Sequence, residues 1–166
     1  MASGDTLAVF TALHGEPPSS NYATFDTRNG VPVLDFDDAT DEAIIFAGVM
    51  PDAYDSGGYT VTLGWMFTSS GTPGTDTCAW NVYWMSVTDD ADDLDTKAFA
   101  AANSATSTSA TADGEVKYED ITFTDGADSD SVAKNEYFRI KVERNAASGT
   151  ASPGDAELVF VKIKET

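Results

Sequence analysis

The alternation of apolar and polar residues over positions 59–67 is the clearest pattern in the chain. Every second residue in this stretch is aromatic or aliphatic: Tyr59, Val61, Leu63, Trp65 and Phe67. The positions between them hold two threonines, a glycine and a methionine. Because successive side chains of a strand point to opposite faces, this pattern predicts a β-strand with one face in the core.

Residues 78–87 predict a second strand of a different kind. Apolar residues occupy both sets of alternate positions there, as in a central strand that is covered on both sides. The three tryptophans of the chain, Trp65, Trp80 and Trp84, all fall in these two segments. Aromatic side chains bury the largest areas, so we expect both strands at the centre of the core. Residues 68–76 are rich in Ser, Thr, Gly and Pro and predict the loop between them.

Similar patterns predict strands in seven further segments: residues 6–13, 22–27, 31–36, 43–50, 116–124, 136–144 and 156–164. Two of these segments flank Asn29-Gly30, a dipeptide that favours the positive φ angles of a tight hairpin. Pro32 has no backbone N–H to donate, so we expect its strand at the edge of a sheet.

Two segments are ambiguous. Residues 94–102 follow an acidic, threonine-containing stretch and are rich in alanine, which favours a short helix. Residues 103–112 are almost entirely Ser, Thr and Ala, which fits a linker or a polar edge strand followed by a loop. With about eight to ten strands and at most one short helix, the chain predicts an all-β fold, an antiparallel, jelly-roll-like β-sandwich. We expect one domain over residues 1–166, with an extended N-terminal arm over about residues 1–21.

The chain carries a large excess of negative charge. It has 28 Asp and Glu residues against 9 Lys and Arg residues, for a net charge of −19. Nucleic acids and anionic membranes are bound through clustered cations, so we expect neither as a direct partner. The first residues lack the basic and apolar regions of a signal peptide. Cys78, the single cysteine, lies in a predicted core strand and cannot form an intramolecular disulfide.

Residue counts disfavour the familiar catalytic sites. A nucleophile–histidine site needs an imidazole beside a nucleophile, and the single histidine, His14, is followed by a glycine and, two residues on, a pair of prolines. One histidine and one cysteine cannot supply a usual zinc site. A carboxylate pair for glycoside hydrolysis stays open, because nothing in the sequence distinguishes a pair among the acidic residues. We therefore predict a protein that is not an enzyme and has no cofactor.

The acidic loops allow one alternative, a bound calcium ion. Ca²⁺ takes six to eight oxygen ligands, often from aspartates that lie close together in a loop. Asp125, Asp128 and Asp130 form such a group, although their spacing does not match an EF-hand. They are the candidate metal ligands, and a solvated acidic loop is the other interpretation.

Several stretches resemble small proteins of tailed-bacteriophage and prophage genomes. The longest are residues 12–29 (ALHGEPPSSNYATFDTRN) and 32–37 (PVLDFD), and residues 48–51, 57–61 and 155–158 fit the same pattern. The resemblance implies a structural protein of the virion, made in the host cytoplasm. Its implied role is that of a capsid decoration (cement) protein, a homotrimer that binds between major capsid subunits. No functional residue of such proteins is defined by a motif.

The alternative function is a carbohydrate- or receptor-binding module of a phage tail fibre or appendage. Exposed aromatic rings would serve as sugar-stacking platforms, and the candidates are Tyr22, Tyr54, Tyr118 and Tyr137. Packing in the core or in an interface is the other interpretation of these tyrosines. The candidate partner contacts of the N-terminal arm are His14, Pro17, Pro18 and Tyr22. A hydrolase on the same scaffold is a third hypothesis, since sandwiches host all three functions.

Overall fold

The computed structural model describes residues 4–148 and 154–166, which form ten strands in two antiparallel sheets. The strands are β1 (Thr6–Thr11), β2 (Thr24–Arg28), β3 (Val31–Phe36), β4 (Glu42–Val49), β5 (Tyr59–Phe67), β6 (Thr77–Val87), β7 (Asn103–Thr108), β8 (Lys117–Phe123), β9 (Tyr137–Arg144) and β10 (Ala156–Glu165). Two single-turn 3₁₀ helices, Ala12–His14 and Ala127–Ser129, complete the regular structure of the described residues. These ranges contain no helix long and apolar enough to cross a membrane. The predicted all-β sandwich is confirmed.

One sheet has six strands and the other has four. The six-stranded sheet runs in the order β2-β3-β10-β5-β8, and β1 pairs with the same edge of β10 that β3 uses. A bulge between Leu158 and Phe160 lies where the partner of β10 on this edge changes from β3 to β1. The four-stranded sheet runs in the order β4-β9-β6-β7.

The predicted central strands lie at the centre of different sheets and face each other across the core. β5 lies between β10 and β8, whereas β6 lies between β9 and β7. Trp65, Trp80 and Trp84 are completely buried, and the rings of Trp65 and Trp80 pack edge to face at 5.9 Å. The buried indole of Trp65 donates a hydrogen bond to the Ser107 hydroxyl of β7 (3.0 Å), which joins the two sheets.

The Asn29-Gly30 hairpin is confirmed. Asn29 has a φ of 49° and Gly30 a φ of 80°, and β2 pairs with β3 directly on either side of the turn. The edge position expected from Pro32 is wrong for the strand as a whole, because β3 lies between β2 and β10. Pairing with β10 begins only at Leu34, however, so Pro32 has a neighbouring strand on one side alone.

The helix predicted over residues 94–102 is wrong. This segment has a single hydrogen-bonded turn, in which the amide of Lys97 donates to the carbonyl of Asp93 (2.8 Å), and the turn does not continue into a helix. The amide of Ala100 instead donates to the carbonyl of Trp84 (2.8 Å). The segment thus continues the line of β7 along the edge of β6, and this tertiary pairing overrides a weak helix propensity. The edge-strand interpretation of residues 103–112 is confirmed by β7, which ends the four-stranded sheet.

The N-terminal segment lies against the sandwich over its described part. After β1 and the first 3₁₀ turn, Glu16 exchanges two backbone hydrogen bonds with Ile45 at the outer edge of β4 (2.7 and 2.9 Å). Tyr22 bridges to Ala43 on the same edge. Residues 16–22 therefore form a border beside the four-stranded sheet.

Candidate functional site

The outer face of the four-stranded sheet carries polar and aromatic side chains in regular rows. The outward pairs across β9 and β6 are Glu143–Asn81, Lys141–Tyr83, Arg139–Met85 and Tyr137–Val87. The alternate residues of both strands point inward and are buried in the core. On the other side of β9, the outward residues of β4 are all apolar: Ala43, Ile45, Ala47 and Val49. The polar and charged groups of the face therefore lie along β9 and β6.

A hydrogen-bond network holds one end of this face in place. One carboxylate oxygen of Glu143 accepts from the hydroxyl of Tyr83 (2.8 Å) and from the side-chain amide of Asn81 (3.0 Å). Ser104 of β7 donates to the other side of that amide (2.7 Å). Burial raises the pKa of Tyr83 to about 12, and the hydrogen bond to Glu143 acts in the same direction. Tyr83 therefore remains a neutral donor at physiological pH.

Lys141 joins the aromatic and the charged parts of the face. Its ammonium lies 3.7 Å from the centroid of the Tyr83 ring and 3.6 Å from a carboxylate oxygen of Glu143. The ring of Phe99 lies on its other side, with its centroid at 5.7 Å. These contacts favour this position of the ammonium, because a cation is attracted to the face of an aromatic ring and to a carboxylate.

Two segments of the chain border these rows of side chains, one on the β4 side and one on the β7 side. On the β4 side, Glu16 reaches over the sheet, and its carboxylate accepts a hydrogen bond from the Arg139 guanidinium (2.8 Å). On the β7 side, residues 94–99 are anchored by Lys97, whose ammonium bonds Asp92 (3.2 Å) and Asp130 (3.0 Å). The face between these borders is a cleft.

This sheet cleft has a volume of about 350 Å³ and is lined by Glu16, Met85, Leu94, Lys97, Phe99, Tyr137 and Arg139. Tyr137 also lines an adjoining depression of about 510 Å³, together with Val87, Asp89 and residues 134–136. Both volumes lie within the range of small-molecule sites. Because one side chain is shared by the two depressions, the site is elongated and suits an extended ligand.

Arg139 lines the cleft through its guanidinium. One terminal nitrogen donates to Glu16 (2.8 Å), whereas Nε is buried and has no hydrogen-bond partner among the residues that the structure describes. Because Nε is buried, it is not accessible to a ligand in this conformation.

The four candidate tyrosine platforms are in four different environments. Tyr137 lines the sheet cleft and is 37% exposed, and Tyr118 is 64% exposed but lies on the other sheet. Tyr54 is 3% exposed, so its prediction as an exposed platform is wrong: it packs against Tyr59 inside the core. Tyr22 lies at the open edge between the sheets.

Tyr22 and Pro17 line an apolar pocket of about 320 Å³ at that edge, together with Leu13 and Phe25. The other two candidate partner contacts of the arm are not part of its lining. His14 instead accepts a hydrogen bond at Nδ1 from the backbone amide of Thr11 (3.0 Å). Its imidazole therefore closes the 3₁₀ turn. Pro18 is half-buried in the border that follows.

The predicted calcium ligands are engaged separately. Asp130 accepts from the backbone amide of Ser86 (3.0 Å) and pairs with Lys97, whereas Asp128 accepts from the hydroxyl of Thr124 (2.6 Å). Asp125 does not join them in a group whose oxygens converge within the described ranges.

A different carboxylate group does converge. Over residues 4–148 and 154–166, the group with metal-ligating spacing is Asp37, Asp38 and Asp155, whose oxygens lie within 4.8 Å of one another. Asp37 accepts hydrogen bonds from the amides of Ala39 and Thr40, which lower its pKa. Asp155 accepts from the amide of Asp38 (3.0 Å). These carboxylates organise the loop that follows β3.

Comparison with known proteins gives a match at the level of fold only. No protein-family model and no curated protein sequence matches this chain. The CBM22-2 xylan-binding domain from Paenibacillus barcinonensis Xyn10C is similar in structure, with 13% sequence identity, a TM-score of 0.52 and 92% of each chain covered. TmCBM61, solved in complex with β-1,4-galactotriose, has 12% identity and a TM-score of 0.40 over 95% of this chain and 88% of that one. The chain thus has a two-sheet β-sandwich fold like that of this xylan-binding domain.

Proposed function

We propose that this protein is a non-catalytic carbohydrate-binding module and that its sheet cleft holds a stretch of polysaccharide. The observation that carries the proposal is the cleft itself, which is lined by Phe99, Tyr137 and Arg139. The hydrogen-bonded network of Glu143, Tyr83 and Asn81 lies beside it on the same outer face of the sheet. Binding sites combine apolar walls with a few well-placed polar groups that orient the ligand. A sugar ring presents both apolar C–H faces and hydroxyl groups, so this surface complements it.

The aromatic side chains provide the apolar contacts. Tyr137 stands where the two depressions meet, and Phe99 lines the first of them. Each has only two side-chain torsions to immobilise, which makes aromatic residues favourable contacts for a ligand. A chain of sugar units that crosses Tyr137 would contact both depressions.

The polar groups provide orientation at little cost in entropy. Glu143, Tyr83 and Asn81 already hold one another before any ligand binds. Preorganised groups lose little freedom on binding. Arg139 also lines the cleft, and its guanidinium would donate to a hydroxyl oxygen of the ligand.

The charges of the cleft favour an uncharged ligand. Arg139 is paired with Glu16, Lys141 with Glu143, and Lys97 with two aspartates. Lys134, in the adjoining depression, lies there with Asp89 and Glu136. Since the chain also carries a net charge of −19, we expect this surface to repel a uronate-bearing polysaccharide. We expect neutral glycans to bind and acidic ones to be rejected. The xylan-binding domain with the similar fold supports this ligand class.

A role on a phage particle stays a prediction from the sequence resemblance. A carbohydrate-binding module is compatible with the tail-fibre or appendage alternative, in which the module would contact glycans of the host surface. The capsid-decoration role also stays a prediction.

Isothermal titration with soluble xylo- and galacto-oligosaccharides tests the proposal. We expect binding to at least one neutral series and none to oligogalacturonate. Replacing Tyr137 by alanine should weaken binding roughly thirtyfold, because loss of a central aromatic anchor costs about 2 kcal/mol.

Tyr118→Ala is the matched control, since it removes a more exposed tyrosine from the opposite sheet. Short oligosaccharides report the affinity of a single cleft, so the oligomeric state does not affect the comparison. Absence of binding to every neutral oligosaccharide, or equal losses in the two variants, would contradict the proposal.

A further inference from the structure

The outer face of the six-stranded sheet presents an aromatic pair at its centre. The ring of Phe160 on β10 lies flat over Gly64 of β5, where no Cβ could be accommodated. Tyr118 of β8 meets this ring edge-on, with the centroids 5.1 Å apart, and 64% of its surface is exposed. A glycine in the interior of a strand destabilises that strand. Gly64 therefore costs β5 some stability and leaves room for the Phe160 ring on the outer face.

Exposed valines extend this aromatic pair into a patch. Val31 is 50% exposed and Val116 is 44% exposed, and both line a shallow apolar groove of about 220 Å³ with Val159. We call Val31, Val116, Tyr118, Val159 and Phe160 the back patch. It lies on the side of the sandwich opposite to the sheet cleft. Clustered apolar exposure of this kind marks an interaction surface.

The charges around the back patch are ordered along the central strand. On β10, Glu157 lies before Phe160, and Lys162 and Lys164 follow it. Glu157 is buried, and its carboxylate accepts hydrogen bonds from Nε of Arg28 (2.8 and 2.9 Å), so this pair has no net charge. Asp35 of β3 lies directly beside the pair and makes this end acidic. The face thus runs from acidic, through apolar, to basic.

This face is also close to electrical balance. Its outward charges are three cations, Arg28, Lys162 and Lys164, and four carboxylates, Asp26, Asp35, Asp120 and Glu157. The chain as a whole carries −19. Two copies of such a chain repel each other over most of their surface, and a nearly balanced face with an apolar centre is where this repulsion is weakest.

We infer that the back patch is the interface of a homodimer. A two-fold axis in the plane of the sheet and perpendicular to β10 would place Phe160 of one copy near Phe160 of the other. The same rotation reverses the strand direction, so Lys162 and Lys164 of each copy face the acidic end of the other. An isologous interface requires this kind of self-complementary surface.

The size of the face is sufficient for a stable dimer. The six strands range from five residues in β2 to ten in β10. At about 3.3 Å per residue and about 4.8 Å between strands, they cover roughly 700 Å², which lies within the range of about 600–1,000 Å² that each partner contributes to a standard interface.

The dimer would leave both sheet clefts on its outer surfaces. Two clefts on one particle raise the apparent affinity for a repetitive polysaccharide through effective concentration. The inference itself rests on the back patch alone and holds whether or not the cleft binds a glycan.

Sedimentation velocity of the full chain from about 1 to 100 μM tests the inference. We expect a species of twice the 17.5 kDa chain mass that dissociates on dilution. Tyr118→Asp should weaken dimerisation at least thirtyfold, because it places a charge at the centre of each half-interface. Lys162→Glu combined with Lys164→Glu should also weaken it, by removing the attraction between unlike ends.

Leu94→Asp is the matched control: it places the same new charge at a residue that is 62% exposed on the opposite side, and it should leave the dimer intact. Circular dichroism checks that every variant is folded. A monomer over the whole concentration range overturns the inference, as does a trimer. A dimer that Tyr118→Asp leaves unchanged overturns it as well.

Discussion

The two outer faces of this sandwich have the same backbone geometry and different chemistry. On the four-stranded sheet, polar side chains are fixed by one another, as in the bonds of Glu143 to Tyr83 and Asn81. On the six-stranded sheet, the centre of the face is occupied by the aromatic pair of Tyr118 and Phe160. Both faces have paired or balanced charge, although the chain is strongly acidic.

The difference arises from what surrounds each sheet. Residues 16–22 and 94–99 border the four-stranded sheet and turn its face into a cleft. The centre of the six-stranded face forms only a shallow groove. A bordered face with fixed donors suits a small polar ligand, whereas a broad face with an apolar centre suits another protein. The following substitutions test how independent the two faces are.

Trp84→Ala should damage both faces together. Trp84 is completely buried and stacks on Phe138 at 4.5 Å, and it also contacts Tyr59 of the other sheet. Truncating a buried tryptophan costs about 3–5 kcal/mol. Urea denaturation should show this loss, whereas Val49→Ala, at a residue that is 60% exposed, should change the free energy of unfolding by less than about 0.5 kcal/mol. A loss for Trp84→Ala similar to that of the control would show that the sheets do not depend on this contact.

Gly64→Ala should affect the back face alone. The new Cβ would occupy the position of the Phe160 ring, and overpacking of this kind costs about 1–3 kcal/mol. In a background of Phe160→Ala the same change should cost much less, because the obstructing ring is absent. A double-mutant cycle by urea denaturation measures this coupling. Equal costs in both backgrounds, or a loss of oligosaccharide binding, would contradict the separation of the faces.

Glu143→Ala should affect the cleft alone. It removes the acceptor of Tyr83 and Asn81, and both side chains then gain freedom that a ligand must remove again. We expect a roughly tenfold weaker oligosaccharide affinity, or about 1.4 kcal/mol, by isothermal titration. The sedimentation of the protein should not change. An unchanged affinity would show that the network takes no part in binding.

Asp35→Asn tests the acidic end of the back face and should have the smallest effect. Burial raises the pKa of Asp35 from 3.8 to about 6, and the carboxylates of Asp155 and Glu157 add to this shift. The folded state therefore holds a proton more tightly than the unfolded state. The contribution of this carboxyl group to the free energy of unfolding is therefore largest below about pH 4. This contribution is lost as the pH rises from about 4 to about 6.

At pH 7, Asp35→Asn should consequently stabilise the protein by about 1 kcal/mol after allowance for solvent screening. Thermal unfolding at pH 3.5 and pH 7 measures this difference, since at the lower pH wild type and variant should be nearly equal. Destabilisation at pH 7 would contradict the assignment.

The residues that sequence alone placed correctly are those whose pattern is local. The alternation at Tyr59–Phe67 predicted a buried face, and Asn29-Gly30 predicted a hairpin, because strand geometry and turn angles depend on immediate neighbours. The same alternation along β9 places Arg144 after Val142 on the inward side, where it is buried and donates to the carbonyl of Phe36. The alternation could have predicted this position, but a charged residue is ordinarily expected at the surface.

Some local signals were overruled by contacts with distant residues. The weak helix propensity of residues 94–102 yielded to pairing of Ala100 with Trp84. Tyr54 and Tyr118 are the same residue type in polar surroundings, yet one is buried and the other is exposed. Composition cannot distinguish them, because burial depends on which strands stack above each residue.

The cleft and the back patch were decided by tertiary structure. The cleft combines Glu16 from the N-terminal border, Phe99 from a loop and Tyr137 from β9, and the back patch combines Tyr118 and Phe160 across Gly64. A pattern along the chain specifies which side of a strand is apolar. Which strands become neighbours is set by packing between residues far apart in sequence, and this packing brings the functional groups together.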